Sequence, residues 1–165
     1  MTTVVCVVGA SDTGKTTLIE ALVTRLRTRG RVATVKSIHH DIEIDTPGKD
    51  TYRHREAGAE TVVGITPSRT FRITEKGKRN ANGERETETE TGAETTILEG
   101  TVDDLVSNGY EYVLVEGFHE APYPKIQLGG REGTAPPVVA RAECAEEIDV
   151  DALVDRLFEG ASGDP

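Results

Sequence analysis

The octapeptide GASDTGKT, Gly9–Thr16, fits the pattern G-x-x-x-x-G-K-[ST] at every position. It follows TTVVCVVG (Thr2–Gly9), β-branched almost throughout, which suits a parallel strand buried on both faces. It opens a segment in which Leu18, Ile19, Leu22 and Leu26 recur at helical spacing, with Arg25, Arg27 and Arg29 towards its end and Gly30 as a stop. Phosphate binding needs both neighbours. Backbone N–H groups of the loop and the helix N-terminus converge on the oxygens, and the glycines let the backbone approach. Lys15 is placed to bridge β- and γ-phosphates, and the Thr16 hydroxyl to ligate Mg²⁺. Asp12 opposes an anion unless it faces solvent.

RVATVKSI (Arg31–Ile38) reads as the next strand and completes a right-handed βαβ unit. The fold class is therefore α/β: a P-loop NTPase-type, mainly parallel sheet flanked by helices. A short helix is predicted over Asp50–Ala57, with Asp50 or Thr51 as N-cap, and a β-hairpin excursion over Thr61–Thr66 and Thr70–Thr74. Between Thr74 and Thr96 no apolar side chain exceeds alanine, and ERETETETGAETT reads as a mobile acidic loop. A short helix around Val102–Ser107, a buried strand at Tyr112–Val115, two strands in KIQL and PPVVARA, and a final helix carrying Val150, Leu153, Val154, Leu157 and Phe158 complete the chain. Residues 1–165 read as a single P-loop domain.

A metal beside the phosphates also needs a carboxylate at the end of a neighbouring buried strand. Asp45 follows DIEI, where apolar and acidic residues alternate, whereas Glu116 follows an uninterrupted apolar run. Glu116 is the better metal-side acid. DTPG, Asp45–Gly48, fits the switch pattern D-x-x-G, but its Pro–Gly turn also delivers Gly48, Lys49, Asp50 and Thr51 to a predicted helix start. Lys49 there opposes the helix dipole, so its value lies in holding an anion. His39 and His40 offer metal or phosphate contacts, and adjacent side chains on an extended strand leave at most one facing the nucleotide. N-K-x-D, the guanine signature, is absent, and the segment after PPVVARA, around Ala142–Glu143, is the expected place for a base.

The net charge of −10, from 19 basic and 29 acidic residues, opposes a nucleic-acid-binding surface. No apolar run reaches the length of a membrane span, and Cys6 and Cys144 lack zinc spacing, so a cytoplasmic protein is expected.

GASDTGKTTL, VKSIHHDIEIDTPGKDTYRHREAGA and LVEGFHEAPYPKI together resemble the molybdopterin-guanine dinucleotide biosynthesis protein B family, over Met1 to about Ile126. HH-x(4)-D-x-P-G-K-D-[ST] followed by A-G-A is the specific part. The resemblance implies GTP with Mg²⁺, slow intrinsic hydrolysis and a homodimer. It further implies an adapter that assists the guanylyltransferase joining GMP to molybdopterin. It assigns phosphate-loop contacts to Gly14, Lys15, Thr16 and Thr17, and the loop motif adds Gly9, Asp12 and Thr13 as expected nucleotide contacts. His39, His40, Asp41, Asp45, Gly48, Lys49, Asp50 and Thr51 form the second motif, and Glu116 and Gly117 the third. Within that reading GTP contacts are expected from His40, Gly48, Lys49, Asp50, Thr51 and Gly117, and metal contacts from Thr16 and Glu116. Ser37 departs from the family, which often has histidine there. No catalytic base or arginine finger is legible, so any enzyme activity is at most a weak GTPase. Two other readings stay open: a small-molecule or nucleotide kinase, and a GTPase metallochaperone for nickel.

Overall fold

The computed structural model describes residues 1–78, 90–130 and 132–158, which fall into two compact units: residues 1–37 with 98 onward, and residues 38–97. The first unit carries a five-stranded sheet in the order β2-β5-β1-β6-β7. Its strands are β1 (Thr3–Gly9), β2 (Val32–Lys36), β5 (Tyr112–Glu116), β6 (Lys125–Leu128) and β7 (Val138–Ala142). All four pairings are parallel. The β-branched run therefore occupies the centre of the sheet, between β5 and β6.

Alternation along β1 divides its side chains between two cores. Val5 and Val7 pack with Leu18, Leu22 and Leu26 of α1 (Lys15–Leu26) and with Leu153, Val154 and Phe158 of α4 (Val150–Phe158). The Phe158 ring meets the edge of Tyr112 at 5.8 Å. Cys6 and Val8 face the other core, with Val113, Val115 and Phe118, under Leu98 and Val102 of α3 (Glu90–Ser107). Both faces of the sheet are thus covered, as a parallel sheet requires.

The second unit holds α2 (Asp50–Glu56) and the antiparallel hairpin of β3 (Thr61–Ile65) and β4 (Thr70–Thr74). The hairpin is the one predicted. Two expectations are corrected. The N-cap of α2 is Lys49, in extended conformation and without a side-chain cap, because the Thr51 hydroxyl donates instead to Asp45 Oδ1 at 3.0 Å. The segment read as a loop over 74–96 and a short helix from Val102 is helical from Glu90. Threonine and glutamate are tolerated in a helix, and Ala93 and Leu98 supply buried contacts that charge counting hid. Residues 79–89 of that stretch lie outside the described residues.

Candidate functional site

β1 ends at Gly9, and the chain turns over the carboxyl edge of the sheet into α1. Gly9 has φ +153, and a Cβ there would lie 2.1 Å from the Leu128 carbonyl oxygen of β6, so only glycine fits so close to the neighbouring strand. Gly14 caps α1 at φ +87, and a Cβ would stand 2.7 Å from that of Ala145. Between them the Thr13 hydroxyl donates to the Ala10 carbonyl at 3.0 Å, and the Lys15 ammonium donates to the same oxygen. Asp12 has φ 62 and is exposed, which leaves its carboxylate to water. Thr16 and Thr17 occupy the exposed first turn of α1.

Glu116 terminates β5, the strand paired to β1, with Val7 as its register partner. The Thr16 hydroxyl lies 3.2 and 3.1 Å from the two Glu116 carboxylate oxygens. The two residues expected to serve a metal are thus brought together across one hundred positions of sequence. A hydroxyl and a carboxylate form an oxygen pair that suits Mg²⁺, which fills its remaining positions with phosphate and water. Among the described residues no cluster of three or more histidine, cysteine or acidic side chains could hold a metal unaided. Lys36, at the end of β2, pairs its ammonium with Glu116 Oε1 at 2.9 Å. Gly117 follows at φ +95, and its N–H donates to the Val7 carbonyl at 2.9 Å. No local sequence pattern marks Lys36, because its place beside Glu116 depends on β2 lying against β5.

The other flank of the loop is closed by the segment after β7. The Ala145 N–H donates to the Thr13 carbonyl at 3.1 Å, and the Gly129 N–H to the Ala142 carbonyl at 2.8 Å. Glu143 is exposed at the carboxyl end of β7, on the side of the phosphate loop away from Glu116. The Cys144 thiol hydrogen-bonds to Glu146, which raises its pKa. Lys125 is fully buried behind this edge, donating to the Ala121 carbonyl and, at 2.9 Å, to that of Tyr123. Burial holds its pKa below the ordinary lysine range.

The remaining expected residues lie in the second unit. His39 and His40 are exposed and occupy a bend rather than a strand, so opposite-face geometry does not apply to them. Gly48 has φ +79, and Gly48, Lys49 and Asp50 are exposed where α2 begins. Asp45 is buried to 7% side-chain exposure. It accepts the Thr46 N–H at 2.8 Å as well as the Thr51 hydroxyl, and stands 3.8 Å from Arg55 Nε. Arg55 also pairs with Glu43 and Glu75, each at 2.9 Å. The alternation in DIEID is therefore inverted: Glu43 and Asp45 reach Arg55, while Ile42 and Ile44 are exposed at 52% and 65%.

A parallel sheet whose central strand runs through a glycine loop into a helix, with lysine and threonine at the loop's end, defines the P-loop NTPase class of fold. The family model for molybdopterin guanine dinucleotide synthesis protein B matches residues 4–154. The chain belongs to that family. The molybdopterin-guanine dinucleotide biosynthesis adapter protein of Haemophilus influenzae is 36% identical over 79% of the chain and 65% of its own length. The Escherichia coli adapter protein is 34% identical over 72% and 60%. A probable molybdopterin synthase of Haloferax volcanii is 30% identical over 96% of the chain and 54% of its own length. The chain thus spans about half to two thirds of these relatives. Among solved structures, molybdopterin-guanine biosynthesis protein B superposes with a TM-score of 0.61 at 22% identity, covering 94% of this chain and 97% of that one. The MobB homologue of Bacillus stearothermophilus gives 0.57 at 20%, covering 93% and 97%. At such identity the superpositions establish the fold.

Proposed function

We propose that the chain is a GTP-binding adapter of molybdopterin guanine dinucleotide biosynthesis, assisting the guanylyltransferase that joins GMP to molybdopterin. The observation that carries this reading is the contact of Thr16 with Glu116 at the mouth of the phosphate loop. Gly9 and Asp12–Thr17 would cradle the phosphates, Lys15 would exchange the Ala10 carbonyl for phosphate oxygen, and Thr16 and Glu116 would hold Mg²⁺ directly or through its waters, with Gly117 fixing the turn. Mg²⁺, when bound, neutralises charge on the terminal phosphates. Because the metal side lies towards β5, the nucleoside extends towards β7, and the segment Ala142–Glu143 is the proposed base contact. In the second unit, His40, Gly48, Lys49, Asp50 and Thr51 are proposed as an anion-holding segment, for GTP phosphate or the phosphate of a pterin.

Hydrolysis by this chain is slow in this reading. The charged groups around Thr16 are lysines and a carboxylate already engaged by hydroxyl and ammonium, and fast hydrolysis needs a positioned water or an arginine finger. The exposed Ile42, Ile44, Val63 and Ile65 favour a homodimer or a partner surface. Two free cysteines suit the reducing cytoplasm. The test is a guanylyl transfer assay with the purified guanylyltransferase, molybdopterin and GTP, with and without the chain. Stimulated formation of the guanine dinucleotide, lost with Lys15→Ala, is expected. An identical time course with and without the chain overturns the adapter role.

A further inference from the structure

We propose that Lys36 is a terminal-phosphate ligand, a second cation by which the site tells a nucleoside triphosphate from a diphosphate. This rests on the reading of the phosphate loop as a Mg²⁺–nucleotide site.

Lys36 is the register partner of Glu116, and Glu116 is in turn the register partner of Val7 in β1. The three residues lie level across the sheet, near the edge where the phosphate loop begins. The Lys36 ammonium is 2.9 Å from Glu116 Oε1, and the same carboxylate lies within 3.2 Å of the Thr16 hydroxyl. One carboxylate therefore separates the ammonium from the hydroxyl that meets the metal. A metal held by Thr16 and Glu116 would draw the terminal phosphate of a bound triphosphate towards Glu116 and Lys36.

The physical chemistry of the pair favours exchange. Glu116 is mostly enclosed, at 13% side-chain exposure, whereas Lys36 is 56% exposed. Water screens the exposed lysine end of the pair, and the four-carbon stem of Lys36 lets its ammonium swing without moving the strand. A Mg²⁺ ion arriving at Thr16 and Glu116 competes for the same carboxylate oxygens. An ammonium displaced in this way would be free to turn to the γ-phosphate oxygens, which carry the charge that the carboxylate would no longer offer. A diphosphate has no such oxygens, so Lys36 gains nothing from it. Lys15 approaches from a different side, its ammonium resting on the Ala10 carbonyl inside the loop. The two lysines thus occupy separate seats, with Lys15 holding the phosphate chain and Lys36 reading its length.

The experiment is calorimetric titration of the full chain with GTP and with GDP, each with Mg²⁺, for the wild type, Lys36→Met and Lys36→Arg. Lys36→Met is expected to weaken GTP about tenfold, the scale of one lost charge-assisted hydrogen bond. GDP affinity should change by less than about twofold. Retained GDP binding also demonstrates that the variant is folded. Lys36→Arg should recover most of the preference, because it keeps the charge. Equal weakening of GTP and GDP, or no change in either, overturns the proposal while leaving the nucleotide site standing. A wild type that binds neither nucleotide overturns the site and the proposal together.

Discussion

Asp45 and Lys49 lie four positions apart in DIEIDTPGKD, and their surroundings give them opposite work. Asp45 is enclosed, accepts hydrogen bonds from Thr46 and Thr51, and faces Arg55. Its Oδ2 and the Arg55 Nε have no other partner, so the two groups depend on each other. Lys49 is exposed and donates no side-chain cap to the helix it precedes. Asp45→Ala is therefore expected to destabilise the second unit by about 1–2 kcal/mol, with the hydrogen bonds from the Thr46 N–H and the Thr51 hydroxyl lost and Arg55 left with one fewer carboxylate. Lys49→Ala should leave stability within about 0.5 kcal/mol and cost more nucleotide or partner binding than Asp45→Ala does. Chemical denaturation and binding measured on the same two variants check both halves. Greater loss of binding at Asp45, with stability unchanged, would restore the switch reading of DTPG. Alternation in the sequence reports that a segment has two faces without saying which is covered. The side that turned inward was the acidic one, since Arg55 supplies its partner.

The central strand shows how an element sets the chemistry of its own side chains. Cys6 is fully buried in the middle of β1, and burial pushes its thiol up to about 12. The folded chain therefore keeps a proton that the unfolded chain begins to release near pH 9. Stability from this group is complete below that pH and is lost as the pH climbs towards 12, by about 1.4 kcal/mol per unit. Lys125 on β6 runs the other way. Its lowered pKa means the unfolded chain holds more protons, so its contribution improves as the pH rises towards the ordinary lysine value. The difference in stability between the wild type and Cys6→Ala isolates the thiol. It should shrink steadily from pH 9 upward, and a difference constant with pH would contradict this account. β1 and β5 were legible because parallel strands covered on both faces carry unbroken apolar runs. Helix α3 was less so: its first turns are polar, and the expected start at Val102 marked only where large apolar residues begin. Propensity and capping, which decide where a helix starts, leave weaker marks than hydrophobic periodicity.

Across the whole molecule, the order β2-β5-β1-β6-β7 brings together residues that sequence separates. Glu116 could be chosen over Asp45 from the sequence because only its strand was apolar enough to lie beside β1. Lys36 could not, since its role depends on β2 lying against β5 rather than against β1, which no local pattern records. The same order sets Ala145 against the phosphate loop, where sequence offered only the approximate place of a base contact. The central claim is that Lys15, Thr16 and Glu116 form a Mg²⁺-dependent site for GTP. Calorimetric titration of the chain with GTP and ATP, with Mg²⁺ and with chelator, and repeated on Lys15→Ala, tests it directly. GTP binding at least about tenfold tighter than ATP, weakened by chelation and abolished by Lys15→Ala, is the predicted result, corresponding to about 1.4 kcal/mol of discrimination. Equal affinity for the two nucleotides, or GTP binding that survives Lys15→Ala, would contradict it.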